Sequence, residues 1–355
     1  MTGQSLVTAA PIVHGGARLP AVTVDCYNVE TRDEDGFVGD RASKKAFRAM
    51  VNELREPLRR DGDDPLGDKP TDELGWKKLD ELLTEGNAEA AGVIHGAIEA
   101  FAKELAQVIR RFLKLKGWRD TERVVIGGGL SGSRVGEVAI GRTAVLLKTN
   151  DIDVELARIH NDPDEAGLIG SAHLAPSWIF KGHQAILAVD VGGTNIRAGI
   201  IDLNLKKAED LSKAEVWKLE LWRHANDKLG RDEAIRKLVG MLEKLIARAD
   251  RDDVDIAPFI GIGCPGLIDE DGTFDRGVQN LPGNWAGDGF HFPSALREAI
   301  PEINGHETMV LIHNDAVVQG LSEVPFMRDV KHWGALTIGT GLGNARFTNR
   351  TNGSE

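Results

Sequence analysis

The chain has 355 residues, which is enough for two domains with a core in each. Its formal net charge of −12 argues against a nucleic-acid partner, and its two cysteines are too few for a disulfide framework or a cysteine-rich zinc site. No apolar run approaches the roughly 18 residues of a membrane span and the N-terminus lacks a signal-peptide pattern, so we expect a cytoplasmic protein without a membrane partner.

Hydrophobic periodicity predicts strands that alternate with helices along the whole chain. In the first half we predict a strand near 22–30, helices at 44–60, 72–85 and 87–116, a strand at 123–126, a helix near 135–148 and a strand near 153–159. In the second half we predict a helix over 164–178, strands at 185–189 and 199–201, a helix near 231–249, and strands near 258–263, 308–313 and 333–338. This alternation predicts an α/β fold.

A glycine turn follows the strand at 185–189. Paired glycines let backbone N–H groups approach a phosphate that a Cβ would obstruct, and a threonine adds a hydroxyl donor. We therefore expect the following residues to bind phosphate: Gly192, Gly193, Thr194 and Asn195. Asp190, at the end of the strand, could reach the hydration shell of a magnesium ion on that phosphate. The alternative is a surface β-hairpin with glycine at its turn.

Two further glycine clusters also follow apolar strands. Residues 339–343 carry Gly339, Thr340 and Gly341, and they suit a second phosphate-binding turn. Residues 127–132 fit the G-x-G-x-x-G pattern of a dinucleotide site, with Asp151 and Asp153 about 20 residues further on. These aspartates open the next strand, whereas a ribose-binding acid closes it. A nicotinamide-dependent oxidoreductase is therefore the weaker alternative.

A carboxylate follows the strand at 308–313. Asp315 stands at the predicted start of a helix, where the helix dipole and backbone N–H groups favour its ionised form. It could accept the proton of a substrate hydroxyl during phosphoryl transfer, a reaction that depends mainly on positioning and electrostatics. The alternative is an aspartate that only caps the helix.

Two loops carry polar groups suited to a sugar. Residues 261–269 end a strand in a Pro-Gly turn at Gly266, and residues 280–285 form a polar and aromatic loop. The amide of Asn280 offers both a donor and an acceptor to sugar hydroxyls, and Trp285 could stack on or wall a sugar ring. Taken singly, either loop is also compatible with ordinary turn chemistry.

In their order, these motifs resemble the ROK family (repressor, open reading frame, kinase) of sugar kinases, over residues 185–345. The resemblance implies a two-domain actin-like ATPase (ribonuclease H-like) fold with a nucleotide cleft between the domains, and ATP-dependent phosphorylation of a hexose, first of all glucose. It also implies ATP and Mg²⁺ as cofactors and a small-molecule sugar as substrate. The oligomeric state stays open, with a homodimer as one option. The donor, ATP or polyphosphate, stays open.

The resemblance assigns a role to each motif. Asp315 is the general base, and Asp190 holds magnesium through water. The residues implied to contact sugar are Asn280, Asn314 and Gly266. The residues implied to contact the nucleotide are Gly192, Gly193, Thr194, Asn195, Gly339, Thr340, Gly341, Gly128 and Gly129, the last two at adenosine.

The family-like segments stand in an inverted order. The helix 87–116, the Gly-Gly-Gly loop at 127–129 and the run Ala-Gly-Leu-Ile-Gly at 166–170 resemble the family's last elements, yet here they precede Asp190. We therefore expect a circular permutant whose old termini are joined through 178–184, because only a short connector is needed when the ends of a fold lie close together. The predicted domains are 166–330 and, together, 1–165 with 331–355. The alternative is a truncated domain that follows an unrelated one.

One departure concerns the sugar. Most family members carry a Glu-x-x-His beside a cysteine-rich zinc loop, and this chain has neither pattern, so we expect no zinc. The alternative from another functional class is a non-catalytic sugar sensor. ROK repressors carry an N-terminal DNA-binding helix-turn-helix, and residues 1–60 show no convincing basic version of one. Retention of Asp315 favours an enzyme.

Overall fold

The structure is a computed structural model that describes residues 13–34, 36–287 and 289–350. The parts of the predicted domains at 1–12 and 351–355 lie outside the described residues. The strands are β1 Val22–Tyr27, β2 Arg32–Asp33, β3 Gly36–Phe37, β4 Arg123–Gly127, β5 Glu155–Arg158, β6 Ala185–Val191, β7 Ile196–Asp202, β8 Glu215–Trp222, β9 Ile256–Cys264, β10 Leu267–Ile268, β11 Phe274–Arg276, β12 Glu302–Ile303, β13 His306–Glu307, β14 Met309–Asn314, β15 His332–Ile338 and β16 Leu342–Asn349. The helices are α1 Lys44–Arg60, α2 Trp76–Thr84, α3 Ala88–Phe112, α4 Arg134–Lys148, α5 Ala166–Gly170, α6 Arg231–Arg251, α7 Phe292–Ala299 and α8 Asp315–Leu321.

The chain divides into two compact units, each built from segments that are distant in sequence. Unit 1 consists of residues 1–25, 168–331 and 347–355, and unit 2 consists of residues 26–167 and 332–346. The predicted domains assign residues 1–25 and 347–355 differently, and that division stays a prediction.

Unit 1 contains a five-stranded mixed sheet in the order β14-β9-β6-β7-β8. β14 and β6 run parallel to β9, whereas β7 is antiparallel to both β6 and β8. β6 and β9 are almost wholly buried, as parallel strands covered on both faces are. Helix α6 contributes Leu238, Leu242 and Leu245 to the same hydrophobic core.

Glycines on β9 let helix α8 and its neighbourhood approach the strand closely. A Cβ built at Gly263 would lie 3.3 Å from Cβ of Val318 and 3.6 Å from Cα of Asp315. A Cβ built at Gly261 would lie 2.8 Å from Cβ of Ser171, which is too close for real atoms. A larger residue at Gly261 would displace Ser171, whereas one at Gly263 would press on Val318 and the start of α8, so Gly263 is the glycine that lets Asp315 lie close to the strand.

Unit 2 contains most of a second five-stranded sheet, in the order β1-β16-β15-β4-β5, and β4 runs parallel to β15 and β5. Its longest helix, α3, begins where the side chain of Asn87 accepts a hydrogen bond from the N–H of Ala90 at 2.7 Å. Its apolar stripe, which includes Phe101 and Leu105, is buried in the core of this unit. None of the helices in the described ranges is long and apolar enough to cross a membrane.

The α/β class is confirmed, and most predicted elements lie within a few residues of those observed. The prediction of one helix over 164–178 is wrong. Helix α5 ends at Gly170, and 3₁₀ turns follow at Ser171–His173 and Ser177–Phe180. Pro176 lacks the N–H that a continuous helix needs, and a Cβ at Gly170 would lie 3.0 Å from the backbone nitrogen of Ser322.

Candidate functional site

The carboxyl ends of three parallel strands in unit 1 bring two of the predicted acidic residues to one edge of the sheet. In the sheet register, Asp190 on β6 pairs with Gly263 on β9, and Cys264 pairs with Asn314 on β14. Asp315 follows directly as the first residue of α8. In open α/β sheets, ligands bind outside the carboxyl ends of the strands. This edge is therefore the candidate active site.

Asn314 holds the start of helix α8. Its Oδ1 accepts hydrogen bonds from the N–H groups of Ala316 at 3.0 Å and Val317 at 3.3 Å. Its Nδ2 donates to the carbonyl oxygen of Gly266 at 2.9 Å, and the side chain is fully buried. The cap is therefore Asn314 and not Asp315, so the capping alternative for Asp315 is wrong. The predicted contact of Asn314 with a sugar stays a prediction.

The carboxyl group of Asp315 holds its proton more tightly than an ordinary aspartate. Burial raises its pKa to about 6, and the negative charge of Asp190 acts in the same direction. The N–H of Ala316 donates to Asp315 Oδ1 at 2.9 Å and opposes the rise. The backbone N–H groups at the helix start do favour the ionised form, as expected, but burial and Asp190 outweigh them, so the net pKa is raised. A pKa near 6 suits a general base at neutral pH.

Asp190 pairs with an arginine on the neighbouring strand. Arg197 Nη1 lies 3.1 Å from Asp190 Oδ2, and the two residues are partners in the antiparallel register of β6 and β7. Within the described residues, no group of three or more His, Cys, Asp or Glu side chains could hold a metal ion. Mg²⁺ usually keeps several waters and takes one or two carboxylates plus substrate phosphates. One carboxylate at Asp190 fits that mode of binding.

The first glycine turn is held by contacts with residues that the sequence analysis did not single out. The N–H of Gly192 donates to the carbonyl of Asn195 at 2.8 Å, which closes the turn. His224 Nε2 lies 2.8 Å from the carbonyl oxygen of Gly192, 32 residues away in sequence. The N–H of Ala225 donates to the carbonyl of Thr194 at 3.2 Å. A lone histidine gives no sequence signal for such a contact.

The outer surface of this turn is open. Gly193 and Thr194 are exposed, and among the described residues their N–H groups have no hydrogen-bond acceptor. A Cβ built at Gly193 would have Cβ of Asn280 as its nearest neighbour, at 3.8 Å. Neither Gly192 nor Gly193 has a positive φ. The fold therefore does not require glycine at 193, and the predicted contact of this residue with phosphate stays a prediction.

In the two predicted sugar loops, Gly266 and Trp285 both have structural roles. Gly266 has a φ of +102°, and a Cβ there would lie 2.5 Å from the carbonyl oxygen of Arg276, so the turn itself requires glycine. The prediction that Trp285 could stack on a sugar is wrong. It is 1% exposed, its ring packs 4.7 Å from that of Phe292, and its Nε1 donates to the carbonyl of Pro282.

The second predicted phosphate turn follows β15 in unit 2. The N–H of Gly339 donates to the carbonyl of Gly341 at 2.9 Å, and the N–H of Lys44 donates to the carbonyl of Gly339 at 3.0 Å. Thr340 and Gly341 are exposed, and a Cβ at Gly341 would meet no atom within 4 Å. This turn, like the first, is open to a ligand.

The glycine cluster after β4 has a packing explanation. Gly128 has a φ of +81°, and a Cβ there would lie 2.7 Å from the backbone nitrogen of Ile338. Gly129 is exposed, and a Cβ there would lie 3.6 Å from Nε1 of Trp76. The predicted contact of both glycines with adenosine stays a prediction.

Part of the chain is similar to a known protein family. Residues 186–352 match the ROK family. The glucokinase of Thermotoga maritima is 28% identical over 165 residues, which are 46% of this chain and 44% of the glucokinase. The chain thus spans less than half the length of that relative.

Two solved structures are also similar. The ROK hexokinase from Thermus thermophilus is 23% identical, with a TM-score of 0.31 over 45% of this chain and 45% of that chain. The ROK family glucokinase from Streptomyces griseus, solved in complex with glucose and AMPPNP, is 19% identical, with a TM-score of 0.33 over 47% of this chain and 46% of that chain.

Proposed function

Because residues 186–352 match the ROK family, we propose that this protein transfers a phosphoryl group from ATP to a hydroxyl of a hexose. The observation that carries the proposal is Asp315. It lies where the parallel strands end, and Asn314 rather than Asp315 caps the helix. Its pKa is raised to about 6. The glucokinase match makes glucose the first substrate to test.

Asp315 is proposed as the general base. A carboxylate with a raised pKa accepts a proton more readily than an ordinary aspartate while remaining mostly ionised at neutral pH. Accepting the hydroxyl proton lets the sugar oxygen attack the terminal phosphorus as the bond to the leaving diphosphate breaks. Asn314 acts as a positioning residue, because its cap fixes the first turn of the helix that carries Asp315.

The glycine turns are proposed to bind the phosphates. The exposed N–H groups of Gly193 and Thr194 are free donors, and anions are held well by successive backbone N–H groups. Gly339 and Gly341 supply a second open turn. Asn280 stands beside Gly193, which supports its proposed contact with the sugar.

Asp190 is proposed to hold Mg²⁺ through water. When bound, the ion would offset the negative charge of the phosphates. The ion pair with Arg197 helps to hold the carboxylate in place. A water-mediated contact requires no further protein ligand, in keeping with the single carboxylate at this position.

The test of the proposed function is a panel of hexoses, each assayed with ATP and Mg²⁺ by ADP release. We expect glucose or a close relative of it to support turnover well above the rate without sugar. Thermal stability with ATP is measured in parallel, because a ligand that binds the folded state raises the melting temperature. An ATP response without turnover on any sugar would favour the sensor; stabilisation by NAD and not by ATP would favour the oxidoreductase.

We also propose that the fold is circularly permuted. Strand β1, from the front of the chain, belongs to the sheet that contains β15 and β16 from its end. The N–H of Asn28 donates to the carbonyl of Asn344 at 2.8 Å. The N–H of Arg350 donates to the carbonyl of Ala21 at 3.0 Å. These contacts support the proposal, because strands β1 and β16 are neighbours in one sheet although they are far apart in sequence.

A rearranged chain tests the permutation. Residues 185–350, a short glycine-serine linker and residues 13–184 would restore the family's order of motifs. We expect this chain to unfold cooperatively and to show the same ATP-induced rise in melting temperature as the parent. A chain that stays unfolded with several linker lengths would contradict the proposal.

A further inference from the structure

A cavity of about 330 Å³ lies in unit 1, beside the start of strand β14. Thr308, Met309 and Val310 line it, together with Arg297 from α7 and His14. Asp315 follows the opposite end of β14, which has six residues and therefore spans about 20 Å. The cavity is thus separate from the candidate active site.

Two buried polar atoms at this cavity have no hydrogen-bond partner among the described residues. They are Oγ1 of Thr308 and Nδ1 of His14. Thr308 is only 1% exposed, so bulk water does not satisfy its hydroxyl. Buried polar atoms in native proteins almost always have a partner, and a ligand or an ordered water in this cavity would supply one to both atoms.

The neighbouring His291 also lines the cavity, and both of its ring nitrogens have hydrogen-bond partners. His291 Nδ1 accepts from the N–H of Ser294 at 3.1 Å, and its Nε2 lies 2.5 Å from the carbonyl oxygen of Asp271. The rings of His14 and His291 are 5.7 Å apart, edge to face. A Cβ at Gly272 would lie within 2.9 Å of both rings, so this packing is tight.

Arg297 gives the cavity a group that can bind an anion. Arg297 forms no ion pair with any described residue, and its guanidinium donates in a planar fork that matches a carboxylate or a phosphate. Burial lowers the pKa of His14, and the neighbouring His291 adds to this effect, so Arg297 is the cation of the site. Glu307 also lines the cavity, and its charge disfavours a ligand with several negative charges.

We propose that this cavity binds a small organic monoanion. Arg297 and the hydroxyl of Thr308 hold its oxyanion group, and Pro293, Met309 and Val310 contact its apolar part. The site is independent of the kinase proposal, because none of these residues belongs to the candidate active site.

Butyrate and inorganic phosphate serve as probes, titrated into the full chain by calorimetry at pH 7 and constant ionic strength. We expect saturable binding of butyrate and weaker binding of phosphate. Arg297→Gln and Thr308→Val should each weaken butyrate binding roughly 10- to 100-fold, the loss expected for a hydrogen bond to a charged group. Lys244→Gln removes the same charge from an exposed position on α6 and should leave binding unchanged.

The folding of Thr308→Val is followed separately. This substitution removes an unpartnered buried hydroxyl, so its melting temperature without ligand should equal or exceed that of the parent. Butyrate that has no more effect than sodium chloride would overturn the proposal. Binding of phosphate without binding of butyrate would also overturn it, as would equal losses of butyrate binding in Arg297→Gln and Lys244→Gln.

Discussion

The side chain of Asn314 caps the helix that begins at Asp315. The capping side chain and the Asp315 carboxylate therefore belong to separate, adjacent residues. Asn314 is buried and bonded to Ala316, Val317 and Gly266, whereas the Asp315 carboxylate accepts a hydrogen bond from the N–H of Ala316 and does not hold the helix start. Substitutions at Asp315 can therefore probe its chemistry without removing the cap.

Asn314→Ala is expected to destabilise the protein. The substitution removes two accepted hydrogen bonds at the helix start and the hydrogen bond that Asn314 Nδ2 donates to the carbonyl of Gly266. We expect the free energy of unfolding to fall by about 1–3 kcal/mol in urea denaturation. Gln279→Ala, an exposed amide in the nearby loop, is the control and should change it by less than about 0.5 kcal/mol. Equal effects would contradict the capping role.

Asp315→Asn is expected to stabilise the protein at pH 7. The folded-state pKa of about 6 lies above the unfolded value, so the folded state binds the proton more tightly and loses stability as the pH rises through 6. The amide has no charge to bury, and the free energy of unfolding should rise by on the order of 1–3 kcal/mol.

The pH dependence of that gain identifies its cause. Below pH 6 the folded parent becomes protonated at Asp315, so the advantage of the Asn variant should shrink towards pH 4. Glu270→Gln, an exposed carboxyl, should show no comparable gain. A gain for Asp315→Asn that is the same at pH 4 and pH 7 would argue against the raised pKa.

Gly193→Val is expected to abolish ATP binding and keep the fold. The added side chain would enter open space, since the nearest atom to its Cβ lies 3.8 Å away, and the backbone there has no positive φ. The parent should melt at a higher temperature with ATP, and the variant should show no such shift. Gly240→Val, an open position on α6, is the control. A normal ATP shift in Gly193→Val would refute phosphate binding at this turn.

Gly128→Ala is expected to destabilise unit 2 whether or not nucleotide is present. The left-handed φ of +81° and the backbone of Ile338 leave no room for a Cβ. The free energy of unfolding should fall by about 1–3 kcal/mol or more, whereas Gly129→Ala, next in sequence, should be close to neutral because its Cβ makes only an ordinary contact. Similar losses in the free energy of unfolding of the two variants would contradict the claim that the packing at Gly128 requires glycine.

The parts of the fold that the sequence predicts well are those with a local cause. Strand β6 contains a continuous apolar run before Asp190, and helix α3 has both a cap at Asn87 and a periodic apolar stripe. The failures are tertiary in origin. His224 reaches Gly192 across 32 residues, and Trp285 is buried by aromatic side chains that arrive from other segments. The raised pKa of Asp315 likewise depends on burial and on Asp190, which lies on another strand.

The most direct test of the central claim compares the parent and Asp315→Asn in ADP release with ATP, Mg²⁺ and the preferred hexose, with ATP-induced thermal shifts recorded in parallel. We predict that the variant keeps its fold and its ATP shift, and that its turnover falls by about 10²- to 10⁴-fold, the usual contribution of a general base. Turnover within a few-fold of the parent would contradict the assignment of Asp315.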